Sequence, residues 1–201
     1  MARPAPDDAH AQLIESAQRW VTADDGVWGD FAGAFAVRTY DRNAHLVRAG
    51  DPAPEVHFVV EGLLRLYYTD REGREWNKAF TAEGGFAGSV AAGLLGVSAS
   101  YGVQSLEPTT TLVTTWPALE ALYDRHPPLE RLGRRLAEQI AVKKELKERA
   151  FLERTATERY EAFVRDEPAL AARLPLYHVA SYVGVTEVSL SRIRGRLART
   201  A

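Results

Sequence analysis

The residues best equipped for chemistry crowd near the carboxyl end, between Pro175 and Leu197. Two short helices joined by a tight turn need a small residue where they cross, and Ala180 supplies it. The turn needs a residue that accepts positive φ, and Gly184 supplies that. The second helix needs an oxygen cap at its start, which Thr186 can give. Val179, Val183, Val185, Leu190 and Ile193 fall where apolar residues must face the partner helix. This spacing predicts a helix-turn-helix over residues 175–197. The chemistry of such a unit is hydrogen bonding to DNA. The first turns of its second helix enter the major groove, which brings Thr186, Glu187, Val188, Ser189 and Arg192 to the groove side. Arg192 can donate two hydrogen bonds to guanine or neutralise a phosphate. Glu187 can accept from a cytosine amino group or serve as an acid favoured at a helix N-terminus. Ser189 can bond a base or a phosphate. Arg194, Arg196 and Arg199 read as phosphate neutralisers, and His178 as a polar residue of the supporting helix.

The rest of the chain has to position that helix. Residues 8–22 can form one amphipathic helix with Leu13, Ile14, Ala17 and Val21 on one side. From about Phe35 to Trp116 the pattern alternates like strand: Val56, Phe58 and Val60 against His57 and Val59, then Leu64, Leu66 and Tyr68 against Arg65 and Tyr67. Regular turn signals at Gly50-Asp51, Glu61-Gly62, Asp70 to Gly73, Gly84-Gly85 and Glu107-Pro108 predict an antiparallel sandwich or barrel. After Pro117 the pattern turns helical. Pro127-Pro128 opens a long segment to about Glu153, with Leu129, Leu132, Leu136, Ile140 and Leu146 on one stripe. So narrow a stripe predicts a seam for a second copy of the chain, with packing on the chain's own barrel as the alternative. Thr155 or Thr157 can cap the helix that follows.

Composition narrows the functional classes. The 201-residue chain has no cysteine, which excludes disulfides, thiolate nucleophiles and cysteine-ligated iron–sulfur or zinc sites. Its five histidines show no local metal spacing, so neither a metal nor a catalytic residue is expected. No apolar run approaches membrane-spanning length, and the start lacks an apolar leader segment, so the expected location is the cytoplasm. The net charge of −2 conceals an asymmetry. Residues 1–130 carry 10 basic and 18 acidic side chains, whereas residues 131–201 carry 15 basic and 9 acidic. From Val188 onward there are four arginines and no acid. A basic rear half attracts phosphates.

Taken together, the arrangement resembles the Crp/Fnr family of transcription regulators. The resemblance runs from about Phe35 to Leu197 and is most specific at Ala180-Ser181-Tyr182 and Leu190 to Arg194, with support from Phe58 to Arg65 and Gly73 to Glu75. It implies an α+β chain with an antiparallel β-roll of the cyclic-nucleotide-binding type (a double-stranded β-helix), a long dimerisation helix, and a C-terminal winged helix-turn-helix. The domains expected from it are residues 1–127, 128–154 and 155–201. It further implies a non-enzymatic regulator that binds double-stranded DNA as a homodimer and can contact RNA polymerase, with Leu129, Leu132, Leu136, Ile140 and Leu146 at the dimer interface. The sensor site departs from the family pattern. Members that bind cyclic nucleotides use a Gly-Glu pair for the ribose and an Arg-Ser pair for the phosphate. Here these read Gly88-Ser89 and Ala99-Ser100, followed by Tyr101, and no arginine lies between Lys78 and Arg125. A cyclic phosphate needs a cationic partner. Cyclic AMP is therefore not expected as a ligand, although Gly88, Ser89, Ser100 and Tyr101 mark where another small effector would sit. The recognition helix also departs, with Glu187 and Val188 in place of an Arg-Glu pair and only Arg192 kept. The competing reading is a small-molecule-binding or cupin-like barrel without DNA-binding activity.

Overall fold

The computed structural model describes residues 6–200. The first five residues and Ala201 of the expected outer domains lie outside the described residues. Two helices come first, α1 (Pro6–Gln18) and α2 (Asp25–Gly33), where the sequence pattern indicates one helix over residues 8–22. Eight strands follow: β1 (Ala36–Tyr40), β2 (His45–Val47), β3 (Glu55–Glu61), β4 (Leu64–Thr69), β5 (Glu75–Thr81), β6 (Phe86–Gly88), β7 (Gly102–Ser105) and β8 (Thr109–Thr115). A short helix, α3 (Val90–Leu95), interrupts them between β6 and β7. The chain then turns helical through α4 (Trp116–Arg125), α5 (Pro127–Glu153), α6 (Ala156–Asp166), α7 (Pro168–Arg173), α8 (Leu176–Val183) and α9 (Glu187–Thr200).

The strands form two four-stranded sheets, in the orders β1-β8-β3-β6 and β2-β7-β4-β5. β8 pairs antiparallel with both β1 and β3, β3 with β6, and β7 with both β2 and β4, and Phe58 stands opposite Leu112 in the centre of the first sheet. Alternation along β3 divides the interior. Val56, Phe58 and Val60 face a core shared with α1, α2, α4 and the start of α5. Val59 faces a second core with Leu64, Leu66 and Val103 from the other sheet. With both faces covered, β3 is buried from Val56 to Val60, and the half-polar alternation expected of a one-sided strand does not appear. Gly62, at φ +109°, closes the turn between β3 and β4. A Cβ there would meet the Cα and Cβ of Thr109 at 2.8 Å, so the turn tolerates glycine alone.

Two compact units emerge from the packing. One comprises Met1–Tyr68 with Ala79–Glu138, and the other Thr69–Lys78 with Gln139–Ala201. This differs from three consecutive segments in two respects. The long helix is not a separate unit, because its first part belongs with the β-roll and its second with the C-terminal helices. The far end of the β4–β5 hairpin also belongs with the C-terminal helices. Within the first unit, Leu129 and Leu132 of α5 are fully buried and Leu136 packs against the same core. These side chains complete the chain's own interior, which removes Leu129 and Leu132 from the expected intermolecular seam. Ile140 and Leu146, further along, remain 52% and 53% exposed, and Val142 and Leu152 are more exposed still, with Phe151 somewhat less.

Candidate nucleic-acid interface

The carboxyl-terminal unit is built from local signals. Thr155 caps α6 through a reciprocal capping box: its hydroxyl accepts from the Glu158 amide at 3.3 Å, and Glu158 Oε2 accepts from the Thr155 amide at 2.7 Å. The hydroxyl–carboxylate and amide–carboxylate bonds from Thr155 hold the Glu158 carboxyl below its ordinary range. Helix α8 ends at Gly184, whose φ of +83° closes the turn, and the Val185 amide reaches back to the Ala180 carbonyl at 3.0 Å. A Cβ on Gly184 would also press on the Phe151 ring at 2.6 Å. Ala180 is buried at the crossing with α9, together with Val179, Val183, Leu190 and Ile193. Thr186 stands just before α9 and its hydroxyl accepts from the Ser189 amide at 3.2 Å. Ser189 Oγ lies 2.9 Å from the same hydroxyl, so both are engaged in starting the helix.

Helix α9 presents two contrasting faces. Leu190, Ile193 and Leu197 point inward. Glu187, Val188, Ser189, Arg192, Arg194, Arg196 and Arg199 are all exposed. Among the described residues, no hydrogen bond or ion pair engages the side chains of Glu187, Arg192, Arg194 or Arg199. A cavity of about 370 Å³ opens between α6 and α9, lined by Tyr160, Ser191, Arg194 and Gly195 among others. The wing implied by the resemblance has no counterpart among the described residues, since α9 runs to Thr200 and no strand follows it.

The far end of the β4–β5 hairpin docks on the first helix of this pair. Asn77 is buried, and its Nδ2 donates to the His178 carbonyl at 3.0 Å and lies 3.1 Å from His178 Nδ1. The Asn77 amide donates to Ser181 Oγ at 2.8 Å, and that hydroxyl donates to the Glu75 carbonyl at 3.1 Å. From α5, Lys147 Nζ donates to the Lys78 carbonyl at 2.6 Å and sits 3.9 Å from the centre of the Tyr182 ring. Burial, with the nearby Lys78 cation adding to it, pulls the Lys147 ammonium down to about 8. His178 is thus a buried anchor for the hairpin, not merely a polar residue of a supporting helix. Asn77 and Lys147 carry no local sequence signal for this role. Asn77 lies 101 residues from His178, and neither Asn77 nor Lys147 belongs to a recognisable motif.

In the β-roll unit, three of the four expected effector residues meet. Ser89 caps α3, its hydroxyl accepting from the Ala92 amide at 3.2 Å. Tyr101 is buried and donates its hydroxyl to the Gly88 carbonyl at 2.7 Å. Burial raises its phenol above the ordinary range, and a hydrogen bond with Ser89 opposes that. Ser100 is exposed and does not join them. The polar atoms of Gly88, Ser89 and Tyr101 therefore bond one another. Among the described residues, no group of three or more histidine, cysteine or carboxylate side chains is placed to hold a metal, and no helix is long and apolar enough to cross a membrane.

The chain is similar to known proteins in sequence over one segment and in fold over most of its length. Residues 37–126 match the family model of the cyclic nucleotide-binding domain. Among curated proteins, no relative matches the sequence. Among solved structures, the chain is similar to the c-di-GMP-responsive global regulator CLP of Xanthomonas campestris, at a TM-score of 0.72 and 17% identity over 88% of this chain and 93% of that one. It is similar to FixK2 of Bradyrhizobium japonicum, at 0.70 and 21% over 83% and 85%. It is also similar to a protein from Eubacterium rectale assigned to the Crp/Fnr transcriptional regulators, at 0.69 and 10% over 89% and 85%. Residues 37–126 thus match the cyclic nucleotide-binding domain, and over most of its length the chain shares the fold of these solved structures.

Proposed function

We propose that this chain is a sequence-specific DNA-binding transcription regulator that acts as a homodimer and contains no enzymatic site. The observation that carries the reading is the outward face of α9, where Arg192 stands exposed and unengaged on a helix held rigidly by Ala180, Gly184 and Leu190. A helix so presented can lie against base edges. Thr186 and Ser189 start the helix, while Arg194, Arg196 and Arg199 supply positive charge toward phosphates. Ile140 and Leu146 are the exposed remainder of the α5 stripe and form the seam with a second chain. A two-fold dimer would set two recognition helices about 34 Å apart on a pseudo-palindromic site. RNA polymerase is the further partner such a regulator would meet, in the cytoplasm.

The β-roll would act as the sensor, but not for cyclic AMP. No lysine or arginine occurs between Lys78 and Arg125, and Ser89 and Tyr101 already bond within the site. An effector, if the regulator uses one, must bind two dimer conformations with different affinity to control DNA binding. The experiment is selection of bound duplexes from a random library with the full chain, followed by a titration in salt. Expected is an enriched half-site motif whose affinity falls steeply with salt. Failure to enrich any sequence would remove the reading. Sedimentation of Leu146→Glu should show monomers where the parent shows dimers; an unchanged dimer would move the seam elsewhere.

A further inference from the structure

Helix α9 contains two residues that its own fold does not explain, and both lie on the same face. Val188 is 61% exposed, the one large apolar side chain exposed on α9 among the described residues. A β-branched residue is a modest helix former, and exposing it gains nothing from burial. Gly195 stands in the helix interior, where glycine is destabilising relative to alanine, and a Cβ added there would meet nothing within 4 Å. Tight packing therefore does not require the glycine. With 3.6 residues per turn, Val188, Arg192, Gly195 and Arg199 follow one another at intervals of four, three and four, and stand nearly opposite the inward stripe of Leu190, Ile193 and Leu197. Glu187 and Arg194 project from the flank, nearer to the inward stripe. The open face thus has an apolar head, a free guanidinium, a gap without a side chain, and a second free guanidinium.

We infer that this face reads DNA through Val188 as well as Arg192: the Val188 isopropyl group contacts the 5-methyl of a thymine in each half-site, and Gly195 lets the groove wall approach the helix backbone. The occupant is double-helical DNA, because four arginines and no acid follow Glu187 on this helix. Only an apolar side chain gains from a thymine methyl, which is the apolar feature of the major-groove code. The inference rests on the regulator reading and deepens it by naming a base.

The test uses the full chain and the half-site obtained by library selection, with each thymine replaced in turn by deoxyuridine, which removes the methyl alone. One thymine per half-site should lose about fourfold in affinity for the parent protein, the value of one buried methyl group. Val188→Ala should bind more weakly and be indifferent to deoxyuridine at that position. Gly195→Ala should raise the melting temperature by a few degrees and yet weaken DNA binding. A deoxyuridine penalty that persists unchanged in Val188→Ala, or no penalty at any thymine, overturns the role of Val188. Unchanged affinity in a more stable Gly195→Ala overturns the close approach. Enrichment of no DNA at all would instead remove the regulator reading, a result distinct from either.

Discussion

The bend between β6 and β7 and the outward face of α9 are both rich in polar groups, yet they treat them oppositely. In the bend, Ser89 caps a helix and Tyr101 donates to Gly88, so the hydroxyls complete the chain's own hydrogen bonding. On α9, Glu187, Arg192 and Arg199 are engaged by nothing in the described chain. Buried polar groups must be satisfied, and the cheapest satisfaction is internal. Exposed cations are satisfied by water and remain free to exchange it for a partner. The contrast separates side chains engaged within the fold from side chains left to solvent, and Ser89 and Tyr101 fall in the first group.

The largest expected effect tests a buried group that escapes this division. His57 is fully buried in the β-roll, with neither ring nitrogen hydrogen-bonded among the described residues. Its neighbours are Glu55 Oε2 at 3.8 Å, the Tyr40 ring, and Arg38, which is paired with Glu55. Burial depresses the imidazole from 6.5 to about 4, against the pull of Glu55. The nearby carboxylate thus does not make a salt bridge with a charged ring near neutral pH. The unfolded chain takes up the proton first, so stability is intact above pH 6.5 and falls as the pH drops toward 4, by up to about 3 kcal/mol. Urea unfolding at several pH values should show that slope, and His57→Leu should flatten it. An equal slope in both would place the acid sensitivity in other groups.

Next in size is the hairpin anchor. Asn77→Ala removes the buried Nδ2 contacts to the His178 carbonyl and Nδ1, and a loss of about 2 kcal/mol is expected. Hydrogen exchange should report it in α8; unchanged protection there would mean that the hairpin contributes little. Arg192→Ala sharpens the comparison from the other side. It should leave the melting temperature unchanged and reduce discrimination between specific and scrambled duplexes by about 2 kcal/mol. A fall in melting temperature would break the distinction, because it would show Arg192 holding the fold. The smallest effect belongs to Tyr101→Phe, which removes the bonds of its hydroxyl to Gly88 and Ser89 and should lower stability by about 1 kcal/mol. Calorimetry with cyclic AMP should register no binding to either protein. Micromolar affinity would reverse the reading of the bend.

Signals confined to a few neighbouring residues were legible in the sequence. Gly184, Thr186 and the Val183–Leu190 spacing specify the turn between α8 and α9 because a turn is decided by backbone freedom and local caps. The alternation from Val56 to Tyr68 and the Pro127 start of α5 were legible for the same reason. The separate helix α2, the short α3 and the grouping of residues 69–78 with the C-terminal helices were not, because they depend on which surfaces come together. Leu129 and Ile140 lie on one helical stripe and look alike in sequence. One is fully buried and the other half exposed, a difference made by where the β-roll core ends.

Residue order alone determined the β-rich front, the helical rear, their opposite charge and two short helices joined by a tight turn, with Arg192 on the second. Tertiary structure decided which of those residues remain available. It placed Asn77 against His178, closed Tyr101 onto Gly88, and left Val188 and Gly195 on one open face. The reason is that availability is a property of neighbours: a side chain is free only where no other part of the folded chain has reached its hydrogen-bonding atoms or its apolar surface first.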